Sequence, residues 1–357
     1  MPLKLHSNLA IANPKYARPT INLNKVDTCA IRTPFGRSIQ ALLGTCRIPL
    51  TIALLALMLF SLLGPTTLHA AGLRLVASVA PQEYLLNELK TPESTVTVVI
   101  RPGQNPTTWD PSPRQMQEIV GADIMFPIGV PFEDVWLPRL RQRAPNLEFA
   151  DTLAGIEFLQ FSEETDSTEH QPADSNQPGH LEHAEDSHTH SHSHGSIDPH
   201  IWLDPLRCIA MAANMAAALQ QYDPECKAFY AERLEQLTLR LKRLHQEISH
   251  VLAPLERRTF MVFHPSWGYF ASRYDLRQIA LEKDGKEPSG AHLVALIEQA
   301  RREHIQVIFV QRQFSTKAAQ AIAKQTGARI ETLDPLASDL PATLRHTADR
   351  LAQSMTP

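Results

Sequence analysis

The chain has 357 residues, 43% of them hydrophobic, and a formal net charge of -4, which is enough for two modest domains with ordinary cores. The charge is uneven: residues 1–70 hold seven Lys or Arg against Asp27 alone, so the remainder carries 27 basic and 37 acidic groups, a net -10. A body this acidic has no basic footprint for nucleic acid.

Residues 48–63 are uncharged, follow Arg32, Arg37 and Arg47, and precede Gly64-Pro65 and the small-residue stretch His69-Ala70-Ala71-Gly72. This order predicts a secretory signal peptide cut near Ala70 or Ala71. Because the run lies between signal-core and membrane-span lengths, an uncleaved membrane anchor is the alternative. Cys29 and Cys46 fall in this presequence, leaving Cys208 and Cys226. If each opens one of two successive helices, they lie about 20 Å apart. They are therefore expected to be unpaired, and two thiols are too few for a thiolate zinc site.

Along the mature chain, Leu73 to Val79 and Val96 to Ile100 are short β-rich runs flanking a helical stretch from Gln82 to Lys90, and Asp123 to Phe126 follows a helix-like Pro113 to Val120. Residues 162–197 are Ser, Glu, Asp, His and Pro with hardly an apolar side chain, which predicts a disordered loop. Asp204-Pro205 would start a helix. Asp223 and Pro224 read as the N-cap and first position of another that runs to Leu252, with Leu234, Leu237, Leu241, Leu244 and Ile248 as its apolar stripe. Such a helix fits a rigid strut better than a coiled-coil dimer. The last third alternates again: strand Thr259 to Phe263, helix Trp267 to Tyr274, strand Gln278 to Leu281, helix Ala291 to His304, strand Val307 to Val310. Ser315 then caps a helix to Thr326, Arg329 to Leu333 is a strand, and Leu340 to Gln353 closes the chain.

The fold class expected from this alternation is α/β, in two lobes with mostly parallel sheets. The division is a presequence over 1–71, a first lobe over 72–222 that includes the loop, a linking helix over 223–253, and a second lobe over 254–357.

Residues 180–194 gather His, Glu and Asp around His188, His190, His192 and His194, a set of imidazole donors suited to zinc, copper or nickel. Outside that tract, His264 follows a strand, Asp334 follows another, and His200 lies in the turn before a helix. Ligands of open α/β sheets collect at the carboxyl ends of strands, and two imidazoles with a carboxylate make a plausible zinc site.

Asp198-Pro-His-Ile-Trp-Leu-Asp-Pro205, Phe263-His-Pro-Ser-Trp-Gly-Tyr-Phe270, Glu287-Pro-Ser289, Val307-Ile-Phe-Val310 and Leu333-Asp-Pro-Leu336, in this order, resemble the zinc/manganese-binding solute-binding proteins of bacterial ABC importers. The resemblance runs from about Leu73 to the C-terminus. It implies two lobes joined by one long helix, a metal in the cleft between them, a periplasmic location, a monomer, and delivery to a membrane permease driven by its ATPase. By position it makes His200, His264 and Asp334 metal ligands. The His-rich tract and His264 point to Zn2+ over Mn2+, because manganese members tend to have a carboxylate where His264 stands. One residue departs: in Pro102-Gly-Gln-Asn-Pro-Thr-Thr-Trp-Asp-Pro111, Thr107 stands where the family usually has His. Water, a histidine of the tract, or a carboxylate such as Asp110 or Glu133 would then fill the fourth position.

The expected function is capture of zinc rather than catalysis. The alternatives are a secreted zinc-dependent hydrolase, or a metal-buffering or adhesin protein of the same fold without a transport partner. Against the hydrolase, the sequence has no His-Glu-x-x-His, and no Glu stands beside His264 as a ready general base.

Overall fold

A computed structural model of the protein describes residues 72–161, 197–282 and 285–356. The first sheet contains β1 (Arg74–Val79), β2 (Thr95–Ile100), β3 (Ile124–Phe126) and β4 (Glu148–Phe149), ordered β2-β1-β3-β4 with every pair parallel. Its crossovers are α1 (Ala80–Leu89), α2 (Pro113–Val120) and α3 (Pro131–Arg143). In β1 every residue after Arg74 is buried, as an uninterrupted apolar strand between helices requires.

Two helices follow. α4 (Pro205–Tyr222) starts where Asp204 accepts hydrogen bonds from the backbone N–H of Leu206 and Arg207, with Pro205 at the first helical position. α5 (Lys227–Leu252) has 26 residues and is therefore about 39 Å long. Its stripe of Leu237, Leu241, Leu244, Ile248 and Leu252 is buried. The helix does not begin at Asp223 as the sequence suggests. Pro224–Cys226 forms a 3-10 turn, and the Asp223 carboxylate accepts the Tyr230 hydroxyl at 3.0 Å instead of capping.

The second sheet repeats the plan of the first. β5 (Thr259–Val262), β6 (Arg277–Ala280), β7 (Val307–Val310) and β8 (Arg329–Thr332) are ordered β6-β5-β7-β8, again all parallel. They are connected by α6 (Gly268–Arg273), α7 (Gly290–Arg302) and α8 (Lys317–Thr326), and α9 (Leu340–Met355) ends the chain. In each sheet the chain steps to one side of its first strand and then to the other, so a crevice opens at the strand carboxyl ends where the direction reverses. The long helix α5 packs against α1 beside the first sheet and α9 beside the second. The expected α/β class with two parallel-sheet lobes and one long joining helix is the architecture observed.

Several details differ from the sequence reading. The sequence reading assigned no element over α3, where Pro131 occupies the tolerated first turn and Pro138 lies inside the helix. Ser315 does not cap α8: the helix begins after Thr316, and Ser315 accepts only a 3.3 Å bond from the Lys317 N–H. Ile197, assigned to the loop, forms an antiparallel bridge with Gln160. Cys208 and Cys226 are both free, and the buried Cys208 thiol donates to the Trp202 carbonyl at 3.1 Å. The signal-like run 48–63 and residues 162–196 of the loop lie outside the described residues. Among the described residues no helix is long and apolar enough to cross a membrane.

Candidate metal centre

His264 lies two residues beyond the end of β5, at the crevice between β5 and β7. Its backbone is bracketed by Gln311, just past β7, whose side-chain oxygen accepts from the His264 N–H at 3.2 Å and whose amide donates to the His264 carbonyl at 2.8 Å. The Phe314 ring stacks on the imidazole with centroids 4.8 Å apart and planes 22° from parallel. Parallel pairing of Val262 with Ala280 carries both chains two residues further to His264 and Glu282. There the Glu282 carboxylate meets His264 Nδ1 at 2.5 Å.

His200 precedes the short 3-10 turn Ile201–Leu203 and is buried. The Asp198 carboxylate accepts from the His200 N–H at 2.9 Å and meets Nδ1 at 2.7 Å. Asp198 is itself fixed, since its N–H donates to the Leu159 carbonyl and its carbonyl accepts the Tyr269 hydroxyl, both at 2.9 Å. Gly268 is required at its position: a Cβ there would stand 2.6 Å from Asp198 Oδ2. Burial, only partly offset by Asp198, holds the His200 imidazole below its ordinary pKa, which keeps it neutral and able to ligate near neutrality.

The two imidazole centroids are 5.3 Å apart with planes at 70°. Each Nδ1 is engaged by a buried carboxylate, whereas no hydrogen bond to either Nε2 occurs among the described residues. A carboxylate at one ring nitrogen fixes the tautomer and leaves the other lone pair for a metal. Sequence reasoning assigned no role to Asp198 or Glu282. It placed no Glu beside His264, whereas the fold brings Glu282 there, on Nδ1. Glu282→Gln is expected to lower zinc affinity about tenfold, by weakening the ring's basicity and orientation. Chelator competition would read that change, and an unchanged affinity would remove Glu282 from the centre.

Asp334 follows β8 and accepts the Leu336 N–H at 3.0 Å. Its neighbour Pro335 receives the Trp202 indole N–H at 2.7 Å, which ties this turn to the His200 segment. The structure pairs His200 with His264 but does not draw Asp334 into a group with them: among the described residues no three His, Cys, Asp or Glu gather as a metal cluster. Thr107 is exposed, and both its N–H and its hydroxyl donate to the Asn105 side-chain oxygen, at 2.9 and 2.7 Å. Of the carboxylates considered as substitutes, Glu133 is buried and committed to its own turn, accepting from the Ile128 and Gly129 N–H at 2.8 and 2.7 Å. Its burial pushes the carboxyl up to about 7. Asp110 is exposed. His188, His190, His192 and His194 lie outside the described residues.

Residues 75–354 match the family model described as zinc-uptake complex component A, periplasmic. The high-affinity zinc uptake system protein ZnuA of Yersinia pestis is 27% identical over 289 residues, covering 80% of this chain and 90% of that protein. The protein of the same description from Bacillus subtilis (strain 168) is 26% identical over 268 residues, covering 74% of this chain and 78% of that one. A crystal structure of ZnuA superposes with a TM-score of 0.69 at 33% identity and covers 80% of this chain and 100% of its own. With a parallel-sheet pair, a joining helix and facing imidazoles already in place, the match over nearly all the described residues shows that the chain belongs to the periplasmic zinc-uptake component A family.

Proposed function

We propose that the chain is an extracytoplasmic receptor that captures Zn2+ and delivers it to the membrane permease of an ABC importer with its ATPase, working as a monomer without catalysing a reaction. The observation that carries this reading is the His200 and His264 pair, with both Nδ1 atoms held by carboxylates and, among the described residues, no hydrogen bond to either Nε2. Borderline-soft zinc suits imidazole, while calcium and magnesium want an oxygen cage. Asp334, whose neighbour Pro335 accepts the Trp202 indole N–H, is the carboxylate that would complete the set. Glu282, the carboxylate that meets His264 among the described residues, is spent on Nδ1 and is no free general base, which argues against a hydrolase.

Thr107 hydrogen-bonds within its own loop, so the fourth position falls to water or to one of His188, His190, His192 and His194, which are close in sequence to His200 and act at high effective concentration. Calorimetry on the intact chain and on a chain lacking residues 170–194 tests both points. Tight one-to-one zinc binding by the intact chain is expected, and its absence overturns the proposal. Weaker binding by the shortened chain assigns the fourth ligand to the tract, whereas equal binding assigns it to water.

A further inference from the structure

Away from the candidate metal centre, the joining helix α5 with α1 and α9 lines a groove of about 480 Å³, within the range of small-molecule sites. Its floor is Leu241 and Leu244 of α5, and Tyr84 of α1 and Pro341 of α9 add apolar wall. Arg240, Arg243 and Arg345 also line it, with Glu247 as the one carboxylate among the lining residues. We infer that this groove binds a small organic anion, a phosphate or carboxylate attached to an apolar body.

Three observations support that ligand chemistry. Arg240 shares the single carboxylate of Glu88 with Arg233, so two guanidinium charges face one carboxylate there and a net positive charge stays at the edge of the groove. Arg243 is exposed and makes no hydrogen bond or ion pair among the described residues. Arg345 donates from Nε to Glu247 at 2.8 Å, but both side chains are about half exposed, at 50% and 51%. Exposed pairs of this kind are weak, so the guanidinium exchanges readily onto an incoming anion. Guanidinium forks match phosphate and carboxylate oxygens two at a time, and the half-buried Tyr84 and Pro341 offer apolar surface to the body of the ligand. Because α1 belongs to the first sheet's layer and α9 packs on α5 and β5, the ligand touches both lobes on the side of the joining helix.

The inference is independent of zinc, and its test uses the full chain. Calorimetric titration with phenyl phosphate is expected to saturate at one site. The affinity should fall at least about tenfold, or 1.4 kcal/mol, in the Arg243→Gln/Arg345→Gln double variant, whose melting temperature and zinc titration should match the parent. Inorganic phosphate, lacking the apolar body, is expected to bind more weakly than phenyl phosphate. No saturable binding, undiminished binding by the double variant, or inorganic phosphate binding as tightly as phenyl phosphate would each overturn the site.

Discussion

His264→Ala is expected to abolish the tight zinc site while the protein remains folded. Among the described residues the imidazole is one of two that approach each other, with centroids 5.3 Å apart, and its loss removes a donor outright. The affinity should therefore drop by more than the roughly 10- to 100-fold that follows loss of an outer partner. The backbone at this position is held independently of the side chain, by Gln311 on both its N–H and its carbonyl, so the turn after β5 persists. The local cost is at Glu282, whose buried carboxylate loses its partner, and some loss of melting temperature is expected for that reason. His264→Gln separates the two effects, because its amide can still donate to Glu282 while supplying no imidazole to the metal. Chelator competition on both variants, with thermal melts alongside, measures the outcome. Zinc affinity within about threefold of the parent in both folded variants would place the tight site elsewhere.

Much of this architecture is legible in the sequence, because buried parallel strands leave uninterrupted apolar runs and helices announce their caps. The run Val307 to Val310 coincides with β7, and Asp204-Pro205 starts α4. α3 is illegible for the opposite reason: its two prolines imitate loop punctuation, and its apolar residues do not form a clean stripe. At the centre, His200 and His264 can be nominated from residue type and position. Their carboxylate partners differ in visibility. Asp198 stands two residues before His200 and makes a local turn with it, a pattern that spacing alone could have suggested. Glu282 is 18 residues from His264 in the chain and becomes its neighbour only through the register between β5 and β6, which composition does not encode. The same limit applies to Glu133, which looks like a spare ligand in the sequence and is spent closing the turn after β3.

The contacts between the family-like motifs also have a mechanical consequence. The segment carrying His200 is fastened to residues of the second lobe at three points: Tyr269 hydroxyl to the Asp198 carbonyl, Trp202 indole to the Pro335 carbonyl, and Arg273 to the Asp204 carboxylate. His200, His264 and the Asp334 turn therefore travel together, and the loop bearing Thr107 adds no imidazole from the first lobe. These contacts hold the His200 segment against the second sheet's layer.

Asp204→Ala is accordingly expected to destabilise the fold more than any substitution of an exposed charge. The carboxylate is fully buried, accepts a two-oxygen fork from Arg273 and a 2.7 Å bond from Arg207, and caps α4 through the N–H of Leu206 and Arg207. Removing one member of a buried ion pair costs about 3–5 kcal/mol, and loss of an N-cap about 1 kcal/mol. The arginine side chains retain 17% and 30% exposure, so water meets part of their need and the lower end, about 3 kcal/mol in total, is expected. Denaturant titration measures that cost directly. Asp204→Asn preserves shape and a capping oxygen, so it should recover the cap and leave the loss of charge. Arg273→Met with Asp204→Ala completes a double-mutant cycle, in which the combined cost should fall short of the sum because the two residues act through one shared ion pair. Zinc affinity should weaken as well, since Asp204 anchors the segment carrying His200 four residues earlier, but by less than His264→Ala causes. A cost below about 1 kcal/mol for Asp204→Ala would mean that the ion pair holds nothing in place, and that the His200 segment is positioned by Tyr269 and Trp202 alone.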